Sequence, residues 1–218
     1  MECLPGNIGY LDLRGFAPAG MAGPTLAAAM TLLANTNTLI VDLRENGGGD
    51  PETVSLLCSY LFDHRTHMNS LYWRRGDHTE QFWTQEFVQG LRFGQSKPVY
   101  VLTSAHTFSA AEEFSYNLRT QKRATLVGET TGGGANPGDM RRLTDHFEMF
   151  VPGGRSINPI TGINWEGTGV EPHVKVPADK ALDTAQAIAL KAVIEGETDE
   201  KRKKSLQDRL AQVEKAAR

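Results

Sequence analysis

The sequence predicts an α/β fold with a mostly parallel sheet, followed by C-terminal helices. Short apolar runs at 38–43, 98–102 and 124–128 are typical of strands that are buried on both faces. Helical patterns lie between these runs, and strands that alternate with helices at this spacing imply right-handed crossovers between parallel neighbours. The chain has 218 residues, of which 39% are hydrophobic, and this suffices for a sizeable core.

Elements of the first half follow from local patterns. Residues 6–13 alternate in polarity like a strand, and residues 22–34, rich in Ala, Leu and Met, predict a helix. The next helix covers about 51–62, because Pro51 suits a first helical turn. Residues 68–85 are polar and aromatic, and they predict a hairpin over the surface.

The second half alternates in the same way before it changes character. The helix after the second buried run is expected to end near residue 121. Residues 130–138 are rich in glycine and predict a flexible loop. A strand at 147–151 and a turn at 152–155 follow, and 158–167 is expected to be an ordered loop because it carries Ile and Trp.

Helices are expected to close the chain. Residues 178–194 have a helical pattern, and the tail at 199–218 is dense in charge. The tail also carries a thin apolar stripe, formed by Leu206, Leu210 and Val213. Such a stripe predicts a solvated helix with a narrow docking face. We therefore expect a core domain at 1–180 and a helical extension at 181–218.

Composition excludes several classes of function. The net charge is −3, whereas a nucleic-acid partner calls for a basic face. No apolar run approaches the ~20 residues of a membrane span. Cys3 and Cys58 make no disulfide framework, and His64 and His67 lack a third ligand at a metalloenzyme spacing. We expect no metal and no cofactor.

Ser109 stands at the turn between the strand at 98–102 and the next helix. There its hydroxyl meets the positive end of the helix dipole, and nearby backbone N–H groups are free to hold an anion. Those are the needs of a serine nucleophile. The alternative is structural, since Ser109 and Glu112 fit a capping box that satisfies the first helical N–H groups. Thr107 could cap the helix instead and leave Ser109 to face a cleft.

Two further motifs carry candidate chemistry. The run at 46–49 ends in three glycines, which would let a backbone N–H approach a reacting carbonyl. The alternative is a tight turn with left-handed dihedrals. Glu166 lies between Trp165 and Gly167, where a carboxylate could orient or charge a catalytic group. The alternative for Glu166 is a surface loop acid.

Five ordered motifs together resemble one peptidase family. They occupy residues 42–49, 107–112, 127–133, 154–159 and 165–172. They resemble the catalytic core of the C-terminal processing (tail-specific) serine peptidases, in the branch of the interphotoreceptor retinoid-binding protein modules and the tricorn protease core. The resemblance covers roughly 6–180. It implies a crotonase- and ClpP-like α/β spiral.

The resemblance also implies roles for single residues. Ser109 matches the family nucleophile, and the backbone N–H groups of Gly49 and Ala110 match the oxyanion hole. Glu166 matches the acid that completes the charge network in the tricorn-like branch. The implied function is a serine endopeptidase that cleaves extended peptides or the C-terminal regions of proteins, with no cofactor.

The general base departs from the family pattern. In the tail-specific branch a lysine about 25 residues after the serine is the base, but Gly134 stands at that spacing. Asn136 stands where related sequences can carry a histidine. The tricorn-like branch uses a histidine from a segment that precedes the core. The chain begins abruptly, so we expect a segment cut from a longer protein, with the base outside it and little activity of its own.

Two other functions remain open. The chain could be an inactive module that binds retinoid, lipid or peptide. Its apolar pocket could be lined by Tyr72, Trp73, Phe82, Trp83 and Phe87, although packing is the more common role of such aromatic side chains. It could also be an assembly unit that self-associates through its tail helix. The resemblance suggests a periplasmic or extracellular location, on which the lack of a visible signal peptide says little.

Overall fold

The computed structural model describes residues 1–217. Its strands are β1 (Glu2–Leu4), β2 (Ile8–Asp12), β3 (Thr38–Asp42), β4 (His67–Trp73), β5 (His78–Trp83), β6 (Val99–Thr103), β7 (Thr125–Gly128), β8 (Gly138–Arg142), β9 (Glu148–Pro152), β10 (Gly154–Ile157) and β11 (Val174–Lys175). Its helices are α1 (Ala19–Leu33), α2 (Pro51–Ser59), α3 (Ala110–Thr120), α4 (Ala181–Gly196) and α5 (Glu200–Ala217), with a 3₁₀ turn at Ala178–Lys180.

The main sheet has the strand order β1-β2-β3-β6-β7-β11. Only β1 runs antiparallel to its neighbour, and the other pairs are parallel. Val101 lies opposite both Val41 on β3 and Leu126 on β7, which sets the register of the centre. The predicted mostly parallel sheet is confirmed. Its parallel strands end at one edge, where the loops after β3, β6 and β7 meet.

Helices cover both faces of this sheet. Leu39 and Val41 belong to a core that also contains side chains of α1, α2 and α3, whereas Ile40 belongs to a second core with α4 and α5. Successive strand residues point to opposite faces, so a strand covered on both sides must be apolar throughout. This is why the central strands stand out in the sequence as continuous apolar runs.

A smaller antiparallel sheet orders its strands β10-β4-β5, and β8 pairs with β9 in a separate hairpin. The hairpin expected at 68–85 forms, but its placement over the surface is wrong for β4. Met68 and Leu71 are buried, because β10 pairs with the other edge of β4 and α3 packs nearby. Only β5 is mainly exposed.

Four strands have no counterpart among those expected from the sequence: β1, β8, β10 and β11. β10 begins at Gly154, within the turn expected at 152–155. β8 contains Asp139, Arg141 and Arg142, and all of its residues but the first are exposed, so it has no apolar alternation to detect. β9 confirms the strand expected at 147–151. α2 begins at Pro51 as expected but ends at Ser59, earlier than the expected boundary near 62.

The tail forms α5 and docks on α4. Leu206 and Val213 are buried in the second core, and Leu210 is partly buried beside them, so the expected narrow docking face is confirmed. α4 also packs against β6 and β7. The division of the chain at residue 180 stays a prediction. Within residues 1–217, no helix has the length and apolar character needed to cross a membrane.

Candidate active site

Ser109 lies in the turn between β6 and α3 and is half-buried. Its backbone has φ 53° and ψ −120°, a conformation rare outside glycine that costs on the order of 1–3 kcal/mol. The capping-box arrangement with Glu112 is present, but the Ser109 hydroxyl makes no well-aligned cap hydrogen bond of its own. Ser109 therefore fits both interpretations. It begins the helix, and its hydroxyl is not used in a well-aligned hydrogen bond to the helix backbone.

The serine turn is bound to the loop that follows β3. The Thr107 hydroxyl donates to the Leu43 carbonyl at 2.8 Å. The Phe108 N–H donates to the Asn46 carbonyl at 3.1 Å. These bonds join two loops at the carboxyl edge of the sheet, and they hold the strained serine backbone in place.

Glu112 is a fully buried carboxylate with four hydrogen bonds. Its Oε1 accepts from the Thr131 hydroxyl at 2.5 Å and from the Gly133 N–H at 2.6 Å. Its Oε2 accepts from the N–H groups of Ser109 at 2.9 Å and Gly134 at 2.8 Å. The glycine-rich loop, expected to be flexible, is instead fixed to the serine turn, because a buried carboxylate needs these donors.

The triple-glycine bend is held by Asn46, which is fully buried. Its amide Nδ2 donates to the Leu13 carbonyl at 2.9 Å, and its Oδ1 accepts from the Gly48 N–H at 2.8 Å. Gly48 has φ 110°, and a Cβ atom there would lie 2.7 Å from the Cβ of Ser109. The bend thus needs glycine for its backbone angle and for its close approach to the serine.

Gly49 forms a parallel bridge with Phe16. The Phe16 N–H donates to the Gly48 carbonyl at 2.9 Å, and the Asp50 N–H donates to the Phe16 carbonyl at 2.8 Å. The N–H of Gly49 itself donates to no group among residues 1–217, and neither does the N–H of Ala110. Two backbone donors therefore have no partner within residues 1–217: one directly follows the serine, and the other directly follows Gly48, which packs against the serine.

A charged cluster anchors the start of the same loop at the end of β3. The buried Asp42 accepts from Arg44 Nη2 at 2.6 Å and from the Tyr10 hydroxyl at 2.7 Å. Burial raises the pKa of Asp42, but the hydrogen bonds from Arg44 and Tyr10 outweigh it and hold that pKa below its usual range. Arg44 Nη1 also donates to the Ala178 carbonyl at 2.7 Å, which ties the loop to the turn before α4.

Glu166 lies on an exposed loop above the glycine-rich segment. Its Oε2 accepts from the N–H groups of Ala135 at 2.7 Å and Asn136 at 2.9 Å. The buried Trp165 next to it donates its indole N–H to the Gly134 carbonyl at 3.2 Å. The ordered loop expected around Glu166 is confirmed, since the tryptophan and the carboxylate both fix it.

These elements enclose a cavity of about 600 Å³. Ser109, Gly49, Ala110 and Glu166 all line it, so the fold brings together the four residues singled out in the sequence. Large apolar side chains also line it, namely Leu71, Phe108, Phe150 and Trp165. No lysine, arginine or histidine is among its lining residues in the described chain. The cavity can therefore hold a reacting carbonyl in largely apolar surroundings.

Glu113 is the second acidic residue of this cavity. Burial raises its pKa to about 8, an effect that the nearby side chains of Asn69 and Asn117 oppose and the charge of Asp50 strengthens. The carboxyl is therefore mostly neutral at pH 7 in the empty cavity.

A family model supplies the identity. The model described as peptidase family S41 matches residues 7–176. The chain belongs to peptidase family S41. This assignment confirms the resemblance seen in the sequence, and it supports a serine peptidase function.

Two curated relatives of this S41 chain are peptidases. It is 27% identical over 175 residues to the tricorn protease of Thermoplasma volcanium, covering 78% of this chain and 15% of that protein. It is 26% identical over 189 residues to the chloroplastic carboxyl-terminal-processing peptidase 2 of Arabidopsis thaliana, covering 80% and 34%. The chain thus spans about a third or less of the length of these two relatives.

Solved structures show the same fold. The photosystem II D1 C-terminal processing protease superposes with a TM-score of 0.62 at 24% identity, over 79% of this chain and 43% of that chain. Mature CPAF superposes with a TM-score of 0.69 at 16% identity, over 87% and 52%. The S41 fold accounts for the parallel sheet with helices on both faces.

Gly134 occupies the position at which the tail-specific branch would have its lysine. A Cβ atom on Gly134 would lie 2.1 Å from Cζ of Phe108, so any side chain there requires the Phe108 ring to move. The lack of a lysine at this position is therefore matched by the packing, because the Phe108 ring occupies the space that a side chain would need.

Other site residues were missed or misplaced. Sequence reasoning treated Glu112 only as part of a capping box and gave Glu113 and the Asn46 side chain no role. The signal for Asn46 was its place directly before three glycines, where an asparagine side chain can bind a backbone N–H two residues on. The aromatic pocket expected under the binding alternative stays a prediction, and its residues differ from the lining of the cavity at Ser109. None of the following lines the cavity at Ser109: Tyr72, Trp73, Phe82, Trp83 and Phe87.

Their surroundings explain the difference. Trp83 stacks on His67 with ring centroids 4.4 Å apart, and Arg65 lies over its ring. Phe87 is 80% exposed. These side chains belong to the hairpin and the loop after it rather than to the cavity.

Proposed function

We propose that this S41 chain is the catalytic core of a serine endopeptidase that cleaves extended peptides or the C-terminal regions of proteins. One observation carries the proposal. Ser109, on a strained backbone, shares a cavity with the N–H groups of Gly49 and Ala110, which donate to no group within residues 1–217. A hydroxyl beside unpaired donors is the arrangement that acyl transfer requires.

The chemistry follows the usual two steps of serine catalysis. Ser109 Oγ attacks the scissile carbonyl carbon, and the hydroxyl proton passes to a general base. The carbonyl oxygen becomes an oxyanion, which the N–H groups of Gly49 and Ala110 stabilise. The base then protonates the leaving amine as the C–N bond breaks. Water, activated by the same base, hydrolyses the acyl-enzyme and restores the serine.

Glu166 is proposed to orient and charge the base. Its Oε2 is occupied by the N–H groups of Ala135 and Asn136, which fixes the carboxylate at the cavity. No histidine or lysine lines the cavity within the described residues. We propose that a segment of the full gene product outside this chain supplies the base, as the resemblance to the tricorn-like branch implies.

The proposal is tested on the full-length gene product with a peptide library. We expect cleavage that Ser109→Ala abolishes and that Glu166→Gln lowers by about 100-fold or more, since each removes a member of one catalytic unit. Ser96→Ala is the matched control, because Ser96 is exposed and precedes β6, at the end of that strand opposite the serine turn. Cleavage that survives Ser109→Ala would overturn the proposal.

The chain alone gives a second measurement. Without a base, its Ser109 should react only slowly with a fluorophosphonate probe, whereas the full-length protein should be labelled rapidly. Rapid labelling of the chain alone would contradict the proposed external base. Location outside the cytoplasm and self-association through α5 stay predictions.

A further inference from the structure

Glu113 is a buried carboxyl at the cavity with no part in the proposed chemistry. It is 5% exposed and lines the same cavity as Ser109. Its Oε1 has no hydrogen-bond partner within residues 1–217. A buried acceptor without a partner costs about 1–3 kcal/mol, so a ligand that donates to it removes that cost.

Among the described residues, the groups that face Glu113 present no cation to it. β4 presents Asn69 and α3 presents Asn117, and the Nδ2 atoms of both also lack partners within the described residues. α2 presents the Asp50 carboxylate at its N-terminus and the Cys58 thiol, which burial keeps neutral by raising its pKa. The surroundings of Glu113 are therefore neutral or negative, and a positive group is what they lack.

The walls of the cavity fit the stem of a long side chain. Four large apolar residues line it, and within residues 1–217 its ionisable lining groups are two acids, Glu113 and Glu166. Lysine and arginine bury their methylene stems along apolar surface while the charged head reaches a polar partner. A cavity lined by large apolar residues and a buried carboxyl offers an apolar surface to the stem and a charged partner to the head.

We propose that this cavity binds the side chain of a lysine or arginine in the substrate, with Glu113 as the carboxylate that pairs with its charge. The inference rests on the proposed function, because it names the substrate class of the same site. A buried carboxylate without a partner is unfavourable, and a buried pair with good hydrogen bonds is tolerated. The basic side chain of the substrate thus supplies the charged partner that Glu113 Oε1 lacks within residues 1–217.

Binding is therefore coupled to the ionisation of Glu113. Its pKa of about 8 means that the carboxyl is mostly protonated at pH 6.5 and mostly ionised at pH 8.5. A lysine ammonium stays charged throughout this range. Affinity for a lysine peptide should rise roughly tenfold from pH 6.5 to 8.5, whereas an uncharged side chain of equal length should not follow this rise.

The test measures binding rather than cleavage. Two peptides, acetyl-Ala-Ala-Lys-amide and acetyl-Ala-Ala-norleucine-amide, are titrated into the Ser109→Ala variant by calorimetry at both pH values. The same titrations are made with Glu113→Gln in that background. Glu195→Gln is the control for charge, because Glu195 is exposed on α4, the helix that covers the opposite face of the sheet. Thermal unfolding establishes that each variant is folded.

We expect the lysine peptide to bind at least tenfold more tightly than the norleucine peptide at pH 8.5. The preference should fall to about twofold or less with Glu113→Gln, and Glu195→Gln should retain it. Equal binding of the two peptides at pH 8.5, no detectable binding of either, or a preference that survives Glu113→Gln would overturn the inference. If Glu113→Gln does not fold, the pH dependence in the Glu113-containing protein decides, and a flat lysine preference from pH 6.5 to 8.5 rejects it.

Failure here is distinct from failure of the proposed function. Ser109-dependent cleavage without a preference for basic residues would leave the peptidase intact and reject the role of Glu113. Glu113-dependent binding of the lysine peptide without Ser109-dependent cleavage in the full-length protein would support the binding site and reject the peptidase.

Discussion

Gly48 packs so closely against Ser109 that a Cβ atom added to the glycine would lie 2.7 Å from the serine Cβ. The backbone nitrogen of Ala110 and the carbonyl oxygen of Phe108 would each lie 3.0 Å from this added Cβ atom. The serine turn therefore rests directly on the glycine bend. A change at Gly48 must move the serine, the adjacent donor or both.

Gly48→Ala should lower the rate of fluorophosphonate labelling of Ser109 in the full-length protein by about 100-fold, the usual cost of a misplaced oxyanion donor. The cause is the contact just described, together with φ 110°, which alanine rarely adopts. Gly47→Ala is the matched control, because within residues 1–217 no atom beyond Gly47 and its two chain neighbours lies within 4 Å of a Cβ there. Labelling of Gly48→Ala at the rate of Gly47→Ala would show that the contact does not position the serine.

Glu112→Gln should lower the free energy of unfolding by about 2–4 kcal/mol, since it replaces charge-assisted hydrogen bonds and turns an amide donor toward backbone donors. Labelling of Ser109 should slow as well, because Glu112 holds the Ser109 N–H at 2.9 Å. Urea denaturation measures the first effect. Glu86→Gln, an exposed change of the same kind, should alter stability by less than about 0.5 kcal/mol. Equal stability of the two variants would contradict the role given to Glu112.

Asp42→Asn should have an effect on stability that depends on pH. The folded pKa of Asp42 is lowered, so its stabilisation is fully present above the unfolded value of about 3.9 and is lost as pH falls through the folded value. Urea denaturation should find Asp42→Asn less stable by about 2–4 kcal/mol at pH 6, because Arg44 loses its partner, and the gap should narrow toward pH 3. Asp145→Asn, at an exposed pair with Arg142, should have little effect at either pH. A constant gap from pH 6 to 3 would argue against the ion pair.

Leu206→Ala should lower the free energy of unfolding by about 2–4 kcal/mol, because Leu206, a residue of α5, is buried in the second core. Leu32→Ala makes the same change at a leucine that is 58% exposed and should cost less than about 0.5 kcal/mol. Thermal or urea unfolding compares the two. If Leu206→Ala lowers the free energy of unfolding as little as Leu32→Ala does, α5 does not share the cooperative unfolding of the sheet.

The strands of the main sheet could largely be predicted, and those of the hairpin at β8 and β9 only in part. β3 and β6 are buried along their whole length, so their apolar runs are visible in the sequence. β8 is a polar strand of an exposed two-stranded ribbon, and its pairing with β9 depends on backbone hydrogen bonds that leave no pattern in the side chains. Register and edge pairing of this kind are decided only once the chain folds.

The candidate site divides in a similar way. Ser109, Gly49 and Glu166 lie in local motifs, and the sequence alone singled them out together with their ordered resemblance to one family. The partners that hold them come from distant parts of the chain. Glu112, for instance, bonds to Gly133 and Gly134, which stand about 20 residues away, and no local pattern announces such a contact.

The amino-acid order by itself determined the alternation of strands and helices, the serine at a strand-to-helix turn and the glycine bend. Only the tertiary structure decided that Glu112 points to the glycine-rich loop while Glu113 enters the cavity. The two glutamates are neighbours with the same chemistry. Successive helical residues differ by about 100° around the axis, so each faces different elements. Those elements donate hydrogen bonds to the Glu112 carboxylate, whereas they leave Oε1 of Glu113 without a hydrogen-bond partner within residues 1–217.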